Sequence, residues 1–447
     1  MSDDDSRIDD RRSRSVPSGR LSRLGQFGRL AGGVAGGMLA EGARRLAAGE
    51  RPRARDMLLT PGNAARVADR LSNLRGAAMK LGQMISLDSG DMLPPELSDI
   101  MAKLRDRAHH MPPPQLQRVL TAEWGKDWRT RFARFDSTPI AAASIGQVHR
   151  ARTHDGRDLA IKIQYPGVRE SIDADVDNVA TLLRVSNLLP RELDIAPMLA
   201  EAKRQLHEET DYLREGAQME AYRALLVDRP EFVVPELASE FTTANALAMT
   251  FVAGRPIESV ESGPQAERDR VAALLIDLVL TELFELGLMQ TDPNFANFRY
   301  QPETQRIVLL DFGAVRGVLP ETAASYRALL TAGLSGNRDA VRDAAVAAGF
   351  LGVAAEERHR PLIDRMIDVI LTAANRDATF DFADRSFLGV VREQGMTMAE
   401  DRATWHIPPT DTLFVQRKIS GIALLAARLR ARVDLRGKVA AIFPEAI

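Results

Sequence analysis

The stretch QTDPNFANF, residues 290–298, contains an aspartate and an asparagine five positions apart, Asp292 and Asn297. Fourteen residues after the asparagine the chain reads DFG, beginning at Asp311 and directly following the apolar run IVLL. Carboxylate and amide oxygens are ligands that Mg²⁺ accepts together with phosphate oxygens and water. The spacing therefore predicts a metal and phosphate site built on two loops that flank a buried strand.

Protein kinases have a catalytic loop and a metal-binding segment in this order and at this spacing. In that pattern Asp292 orients or deprotonates the acceptor hydroxyl, while Asn297 and Asp311 hold Mg²⁺. One part of the pattern is missing, because Gln290-Thr291 stands where ordinary kinases have His-Arg before the aspartate. The stretch therefore indicates a kinase-like site that departs from the ordinary protein kinases.

Two upstream segments complete the kinase order. Residues 141–148, AAASIGQV, fit the frame of the loop G-x-G-x-x-G-x-V, with alanine in place of the first two glycines. Residues 159–162, LAIK, are similar to the strand whose lysine contacts the phosphates of ATP, which makes Lys162 the candidate. Each match is weak alone, since alanine runs are common in this chain and a strand-end lysine is commonly solvated. Their joint order and spacing favour a nucleotide site over coincidence.

The lysine of a kinase needs an acidic partner on a helix between the two halves of the fold. The run ETDYLRE, residues 209–215, offers Glu209, Asp211 and Glu215. Glu209 and Asp211 do not share a helix face, because residues two apart point in different directions. A charge run of this kind is also typical of a solvated face, so the choice among the three stays open on these grounds.

The segment after the DFG is short. No Ala-Pro-Glu follows it, and Pro320-Glu321 arrives seven residues after Gly313. That leaves little room for an activation segment on which a peptide could dock. The spacing therefore disfavours a protein substrate.

Length and composition exclude several classes of function. With 447 residues, the chain is long enough for two or three domains or lobes. It is 45% hydrophobic and 27% charged, as is typical of a soluble globular protein. A net charge of −2 gives no support to nucleic acid as the main partner. The absence of cysteine excludes disulfides, thiolate metal sites and cysteine nucleophiles.

No segment reads as a membrane span or a targeting signal. The best apolar run, Leu30 to Ala40, has 11 residues, and about 20 are needed to cross a bilayer. The start MSDDDSRIDDRR is acidic and lacks a signal-peptide pattern. We therefore expect a cytoplasmic, bacterial protein. Its C-terminus, GKVAAIFPEAI, is too short for a membrane helix, so attachment to the inner membrane would be peripheral.

Periodicity divides the chain into four parts. We predict a disordered tail (1–20), an N-terminal helical extension (21–114), a small N-lobe with inserted helices (115–253) and a helical C-lobe (254–447). In the extension, Gly28, Gly32 and Gly36 are four apart, a spacing that lets helices approach closely. A tightly packed soluble helix and a helix that dimerises or touches a membrane both fit this pattern.

A further motif, Lys80-Leu81-Gly82-Gln83, lies in the predicted extension. Together with the alanine-rich loop, the E-x-D of Glu209 and Asp211, and the catalytic loop without His-Arg, it makes the chain resemble the UbiB-like atypical kinases. These are the aarF-domain proteins of coenzyme Q biosynthesis. The resemblance covers roughly Leu24 to the C-terminus, and TDPNFANF is most similar to the mitochondrial-type branch.

The resemblance implies a protein-kinase-like α+β fold with two lobes and an N-terminal helical extension packed over the active site. Lys80 and Gln83 of the K-x-G-Q motif would lie where a peptide would bind, with Lys80 paired to Glu209 or Asp211. Such an extension blocks protein phosphorylation and leaves nucleotide binding and slow ATP hydrolysis. The implied cofactors are ATP or ADP and Mg²⁺.

Site roles follow by position from the same resemblance. Asp292, Lys162 and Glu209 would be catalytic, and Asn297 and Asp311 would bind the metal. The nucleotide would contact the loop, the strand lysine and an adenine hinge, which are Ala141, Ala142, Ala143, Ser144, Val148, Lys162, Met249, Thr250, Phe251 and Val252. The regulatory set would be Lys80, Gln83, Glu209 and Asp211.

Three functions compete. The first is a Mg²⁺-dependent ATPase that supports ubiquinone biosynthesis, with partners that include quinone-precursor lipids, a membrane surface and enzymes of that pathway. The second is a small-molecule or lipid phosphotransferase, which would not explain the K-x-G-Q motif. The third is a non-catalytic lipid-binding scaffold, or pseudokinase, which has no need of intact Asp292, Asn297 and Asp311. The glycine spacing is compatible with a homodimer, and no nucleic-acid partner is expected.

Overall fold

In the computed structural model of the protein, residues 110–143, 145–185, 196–404, 406 and 408–444 are described. They form two compact units, the first containing residues 110–220 and 236–251, the second residues 221–235 and the chain from 252 onward. The predicted tail and nearly all of the predicted extension lie outside the described residues. The same holds for Lys80, Gln83 and Ser144, so what we expect of them stays a prediction.

Helices and short strands alternate along the described chain. The helices are α1 (Pro113–Trp124), α2 (Val168–Val185), α3 (Ala196–Glu209), α4 (Tyr212–Leu225), α5 (Gln265–Thr281), α6 (Pro320–Ser335), α7 (Arg338–Ala347), α8 (Val353–Asn375), α9 (Ser386–Glu400), α10 (Thr410–Arg428) and α11 (Leu435–Ile442). The strands are β1 (Phe132–Phe135), β2 (Ala141–Ala142), β3 (Gly146–Thr153), β4 (Asp158–Gln164), β5 (Phe232–Val233), β6 (Ala246–Thr250), β7 (Arg255–Pro256), β8 (Leu288–Gln290), β9 (Phe298–Gln301), β10 (Arg306–Leu309), β11 (Val315–Gly317), β12 (Phe380–Asp381) and β13 (Arg432–Val433).

The first unit contains a five-stranded sheet in the order β1-β3-β4-β6, with β2 paired to β3. Buried side chains alternate along strand β4 up to Ile163: Leu159, Ile161 and Ile163 are fully buried. Because successive side chains of a strand point to opposite faces, Lys162 lies on the face away from that core. The segment LAIK, residues 159–162, lies within this strand, and Gly156 in the turn before it has a φ of +90° that favours glycine.

Helix α1 completes the core of the first unit. Its buried Leu116 and Leu120 are four apart and join a cluster that includes Trp128 and Phe132. The helix begins at Pro113, because proline is compatible with the first turn of a helix. Burial of each large side chain stabilises the unit by roughly 1.5–3 kcal/mol.

The second unit has a four-stranded sheet in the order β5-β10-β9-β7, a ribbon of β8 and β11, and helices from α5 onward. One expectation differs from this arrangement. Residues 221–235 were predicted to belong to the small lobe, but β5 pairs in parallel with β10, Phe232 opposite Ile307. An apolar run identifies a strand without identifying the strand with which it pairs. The sequence therefore did not reveal that residues 221–235 belong to the second unit.

No helix in the described part of the chain is both long and apolar enough to cross a bilayer.

Candidate active site

Lys162 forms a close ion pair in the first unit. Its Nζ lies 2.9 Å from both Oε1 and Oε2 of Glu215, and the ring of Tyr212 lies 5.1 Å from the same nitrogen. The Glu215 side chain is 1% exposed and that of Lys162 is 13% exposed. The acid at ion-pair distance from Lys162 is therefore Glu215, one of the three acids that the sequence left open, and a catalytic role of Glu209 stays a prediction.

The reason lies in the break between α3 and α4. Glu209 is the last residue of α3, and the helix stops at Thr210. Asp211 then starts α4 by accepting a hydrogen bond from the Arg214 backbone nitrogen at 3.0 Å, as a helix-capping carboxylate does. Glu215 lies in the first turn of the new helix. The three acids can be read directly from residues 209–215, but the position of the helix break between them cannot.

A glutamine on β4 holds the break. Gln164 is buried, and its Nε2 donates to the carbonyl oxygens of Thr210 at 2.7 Å and Ala244 at 3.3 Å. The E-x-D segment is thus tied to the strand that carries Lys162. The expected pairing of Lys80 with Glu209 or Asp211 involves a residue outside the described part and stays a prediction.

The alanine-rich loop is a tight connection between β2 and β3. Ala141 lies opposite Val148, which in turn lies opposite Lys162 across the sheet. Ala143 closes the turn by donating its backbone nitrogen to the Gly146 carbonyl at 2.8 Å. A Cβ on Gly146 would lie 2.4 Å from the Ile163 carbonyl oxygen, so this position requires glycine. Ala141, Val148 and Lys162 therefore form one row of the sheet.

The predicted adenine hinge, Met249 to Val252, follows the last strand of that sheet. Met249 and Thr250 end β6, and the Phe251 nitrogen donates to the Asp158 carbonyl at 2.8 Å. The boundary between the two units falls after Phe251. The chain thus passes from the first unit to the second within this segment, and its role as an adenine hinge stays a prediction.

The catalytic loop of the second unit brings Asp292 and Asn297 together. Asn297 Nδ2 donates to Asp292 Oδ2 at 3.1 Å and to its backbone oxygen at 3.4 Å. Because the amide nitrogen makes these bonds, the carbonyl oxygen Oδ1 is the end of the Asn297 side chain that can bind a cation. Asp292 is half-buried.

The DFG segment is attached directly to this loop. The Leu310 nitrogen donates to the Asn297 carbonyl at 3.0 Å, and Gly313 donates to Asp311 Oδ1 at 3.0 Å. Thr291 holds the other side: its backbone nitrogen and its hydroxyl both donate to the Ala314 carbonyl, at 3.1 and 2.8 Å. The three predicted residues of the metal and base site therefore lie on two segments joined by hydrogen bonds.

The donor set fits Mg²⁺ rather than a metal that needs a protein cage. Among the described residues, no group of three or more His, Cys, Asp or Glu side chains could hold a metal ion. Asn297 and Asp311 would supply one amide and one carboxylate oxygen, and Mg²⁺ usually completes its shell with water and substrate phosphates. These residues therefore fit a metal that arrives with a nucleotide.

A buried polar cluster of the second unit was missed from the sequence. We call Tyr222, Glu282, Gln290 and Lys418 the buried cluster; Glu282 and Lys418 are fully buried. Lys418 Nζ donates to Glu282 Oε1 at 3.3 Å and to Gln290 Oε1 at 3.0 Å, and the Tyr222 hydroxyl donates to Glu282 Oε1. Burial raises the pKa of Glu282, against the opposing effect of the Lys418 ammonium. Burial and the nearby carboxylate also raise the pKa of Tyr222.

Only one weak signal for this cluster exists in the sequence. The chain contains seven lysines among its 59 basic residues, so each lysine of this arginine-rich protein is notable. Nothing in the local pattern, however, relates Lys418 to residues more than 120 positions earlier.

A family model described as an ABC1 atypical kinase-like domain matches residues 103–345, which is more than half of the chain. The chain belongs to the ABC1 atypical kinase-like family. The predicted membership among UbiB-like atypical kinases is confirmed. The matched residues include the sheet with the pair of Lys162 and Glu215. They also include the D-x4-N loop and the DFG segment.

Known relatives of this family member cover nearly its whole length. The protein "Atypical kinase COQ8, mitochondrial" of Saccharomyces cerevisiae is 38% identical over 94% of this chain and 84% of its own length. "Atypical kinase COQ8B, mitochondrial" of Rattus norvegicus is 36% identical over 95% of this chain and 80% of its own. These names agree with the predicted similarity to the mitochondrial-type branch.

A solved structure confirms the kinase-like α+β fold. Rv3197 from Mycobacterium tuberculosis, determined in complex with erythromycin, is 27% identical to this chain with a TM-score of 0.59. The match covers 85% of this chain and 95% of that one.

Proposed function

We propose that this ABC1 family member binds a Mg²⁺-nucleotide and acts as an atypical ATPase that supports ubiquinone biosynthesis. The observation that carries the proposal is the orientation of Asn297. Its amide nitrogen is engaged by Asp292, so that its oxygen and the Asp311 carboxylate are the cation ligands. A scaffold without catalysis would have no need of this arrangement.

Each residue then has one role. Lys162, oriented by Glu215, contacts the phosphates, and the row formed by Ala141 and Val148 covers them. Bound Mg²⁺ would neutralise charge on the phosphates. Asp292 accepts the proton of water or of an acceptor hydroxyl, and its bond from Asn297 fixes the direction of its carboxylate. These side chains supply orientation and a proton acceptor, which are the main contributions of a protein to phosphoryl transfer.

The short segment after the DFG supports an acceptor other than a protein. Residues 314–319 separate the DFG from α6, and three of them form β11, which pairs with β8. A peptide-docking activation segment has no room there. The K-x-G-Q extension, which lies outside the described residues, would block protein phosphorylation as well.

The biological role rests on the family resemblance to proteins of coenzyme Q biosynthesis. Deletion of the gene should lower the ubiquinone content of the cell, and the wild-type gene should restore it while an Asp311→Asn allele should not. Normal quinone content in the deletion strain would assign the protein to another lipid pathway.

Thermal unfolding with Mg-ATP, Mg-ADP and each nucleotide without metal tests the biochemical part. A ligand at 100 times its Kd stabilises the folded state by about 2.7 kcal/mol, a shift of a few degrees in Tm. We expect a metal-dependent shift that Asp311→Asn abolishes and that Asp343→Asn, an exposed aspartate on α7, retains. A shift with neither nucleotide would favour the scaffold. Turnover only with an added alcohol would favour a small-molecule or lipid phosphotransferase.

A further inference from the structure

One lysine of helix α10 contacts both ends of the catalytic loop. Lys418 Nζ lies 3.0 Å from Gln290 Oε1, just before the loop, and 5.5 Å from the ring of Phe298, just after it. Between these two contacts lie Asp292 and Asn297. A single buried ammonium therefore lies against both strands that carry the loop.

A glycine on the same face of α10 contacts the middle of the loop. Gly421 is three residues after Lys418, and residues three apart share a helix face. A Cβ on Gly421 would lie 2.0 Å from Pro293 Cβ and 2.6 Å from its Cγ. Glycine destabilises a helix interior relative to alanine, so its presence here follows from the close approach of the loop.

Glu282 supplies the charge that lets Lys418 be buried. It begins a π-helical turn after α5, a rare element that is frequent at functional sites. The same oxygen that accepts from Lys418 also accepts from the Gln290 backbone nitrogen at 3.4 Å and from the hydroxyl of Tyr222. The ring of Tyr222 packs at 5.4 Å on Phe312 of the DFG. The cluster thus touches the catalytic loop and the metal-binding segment alike.

Stability alone does not explain such a cluster. A buried ion pair usually stabilises a fold no better than apolar side chains of similar volume, because both charges lose their hydration. A buried ion pair whose hydrogen bonds are satisfied does, however, hold its hydrogen-bond partners in a fixed position. The partner here is Gln290, which stands where ordinary kinases have the histidine before the catalytic aspartate.

We propose that Lys418 and Gly421 are positioning residues, which hold the catalytic loop against α10 so that Asp292 and Asn297 keep their mutual geometry without the missing His-Arg. The inference rests on the proposed function of Asp292. Neither residue belongs to the proposed nucleotide, metal or base site.

The first experiment separates positioning from stability. Lys418→Met leaves Glu282 buried without its cation and should lower Tm by several degrees or more. The double variant Glu282→Gln, Lys418→Met removes both charges and should return Tm to within about 3 °C of the wild type. Its Kd for Mg-ATP should stay within about threefold, while kcat for hydrolysis should fall about tenfold or more, because a small misplacement of a reacting group has a large effect on rate.

A control pair lies in the same unit. Lys438 Nζ is 2.8 and 2.7 Å from the two carboxylate oxygens of Asp277 on α5. Lys438→Met should leave kcat unchanged. If the double variant keeps the wild-type kcat, the buried cluster is structural only and the proposal is wrong.

The second experiment changes no charge. Gly421→Ala should displace Pro293, lower kcat about tenfold or more, and speed hydrogen exchange of the backbone amides at 294–298. Gly395→Ala is the matched control: it lies within helix α9, and no described atom lies within 4 Å of an added Cβ. It should leave kcat and loop exchange unchanged. Unaltered loop exchange in Gly421→Ala would overturn the role of α10.

Hydrogen exchange of the backbone amides at 294–298 also separates this inference from the proposed function. A wild-type protein that neither binds nor hydrolyses Mg-nucleotide would refute the proposed function. Hydrogen exchange of the loop amides in Gly421→Ala and in the double variant would still show whether α10 holds the catalytic loop.

Discussion

Lys162 Nζ lies 2.9 Å from both carboxylate oxygens of Glu215, a residue of the first turn of α4. The bidentate pair joins β4 to the helix that begins at the α3–α4 break. The position of Lys162 therefore depends on where that break occurs. This relationship makes the break part of the candidate site, although neither Thr210 nor Gln164 has a role in chemistry.

Glu215→Gln should weaken binding of Mg-nucleotide by about tenfold, since it removes the charge that orients Lys162 while keeping the side-chain volume. It should also lower the free energy of unfolding by roughly 1–3 kcal/mol, because one member of a buried charged pair is lost. Isothermal titration calorimetry and urea denaturation measure the two effects. Glu209→Gln is the comparison and should have a smaller effect on nucleotide affinity. The reverse ranking would show that nucleotide binding depends more on Glu209 than on the pair of Lys162 and Glu215.

The sequence was most informative where residues close together in the chain form the feature. The β3–β4 hairpin, the D-x4-N loop and the DFG are each local, and the hydrogen bond from Asn297 to Asp292 connects residues five apart. Their spacing therefore predicted both their type and their association.

What the sequence did not predict depends on distant pairing. The choice of Glu215 among three acids depends on a helix break held by Gln164, which is 46 residues before Thr210. The transfer of β5 to the second unit depends on its pairing with β10. The buried cluster joins Tyr222 to Lys418, nearly 200 positions later. Such contacts are set by tertiary packing and have no local periodicity.

Ala143→Gly should change the preference between ATP and ADP. The Cβ atoms of the alanine-rich loop restrict its backbone and limit the approach of the loop to phosphates, and glycine removes both restraints. The Ala143 nitrogen closes the turn onto the Gly146 carbonyl, so the change acts on the connection between β2 and β3. Competition binding of ATP and ADP to the variant measures the effect. Ala383→Gly, in an exposed turn, should keep the wild-type ratio; an unchanged ratio in Ala143→Gly as well would contradict the prediction.

His149 should make the first unit sensitive to acid. Gln147 Oε1 accepts from the Met111 nitrogen, so its Nε2 donates to His149 Nε2, and the ring proton therefore lies on Nδ1 and is donated to the Asp136 carbonyl. Burial, with a smaller effect of nearby His110, lowers the pKa of His149 to about 4. A proton on His149 Nε2 would face the Nε2 donor of Gln147 and would have no acceptor there.

The sign follows from the depressed pKa. The unfolded chain binds this proton near its ordinary pKa of 6.5 and the folded chain only near about 4. The contribution of neutral His149 to the free energy of unfolding is therefore fully present above pH 6.5. It is lost as the pH falls from 6.5 toward 4, by about 3 kcal/mol in total. Urea denaturation at several pH values across this range measures the loss. His149→Phe should be less stable at pH 7 but have a flatter dependence on pH, and His154→Gln, an exposed histidine of the β3–β4 turn, should keep the wild-type slope. Parallel curves for the wild type and His149→Phe would show that other groups cause the acid sensitivity.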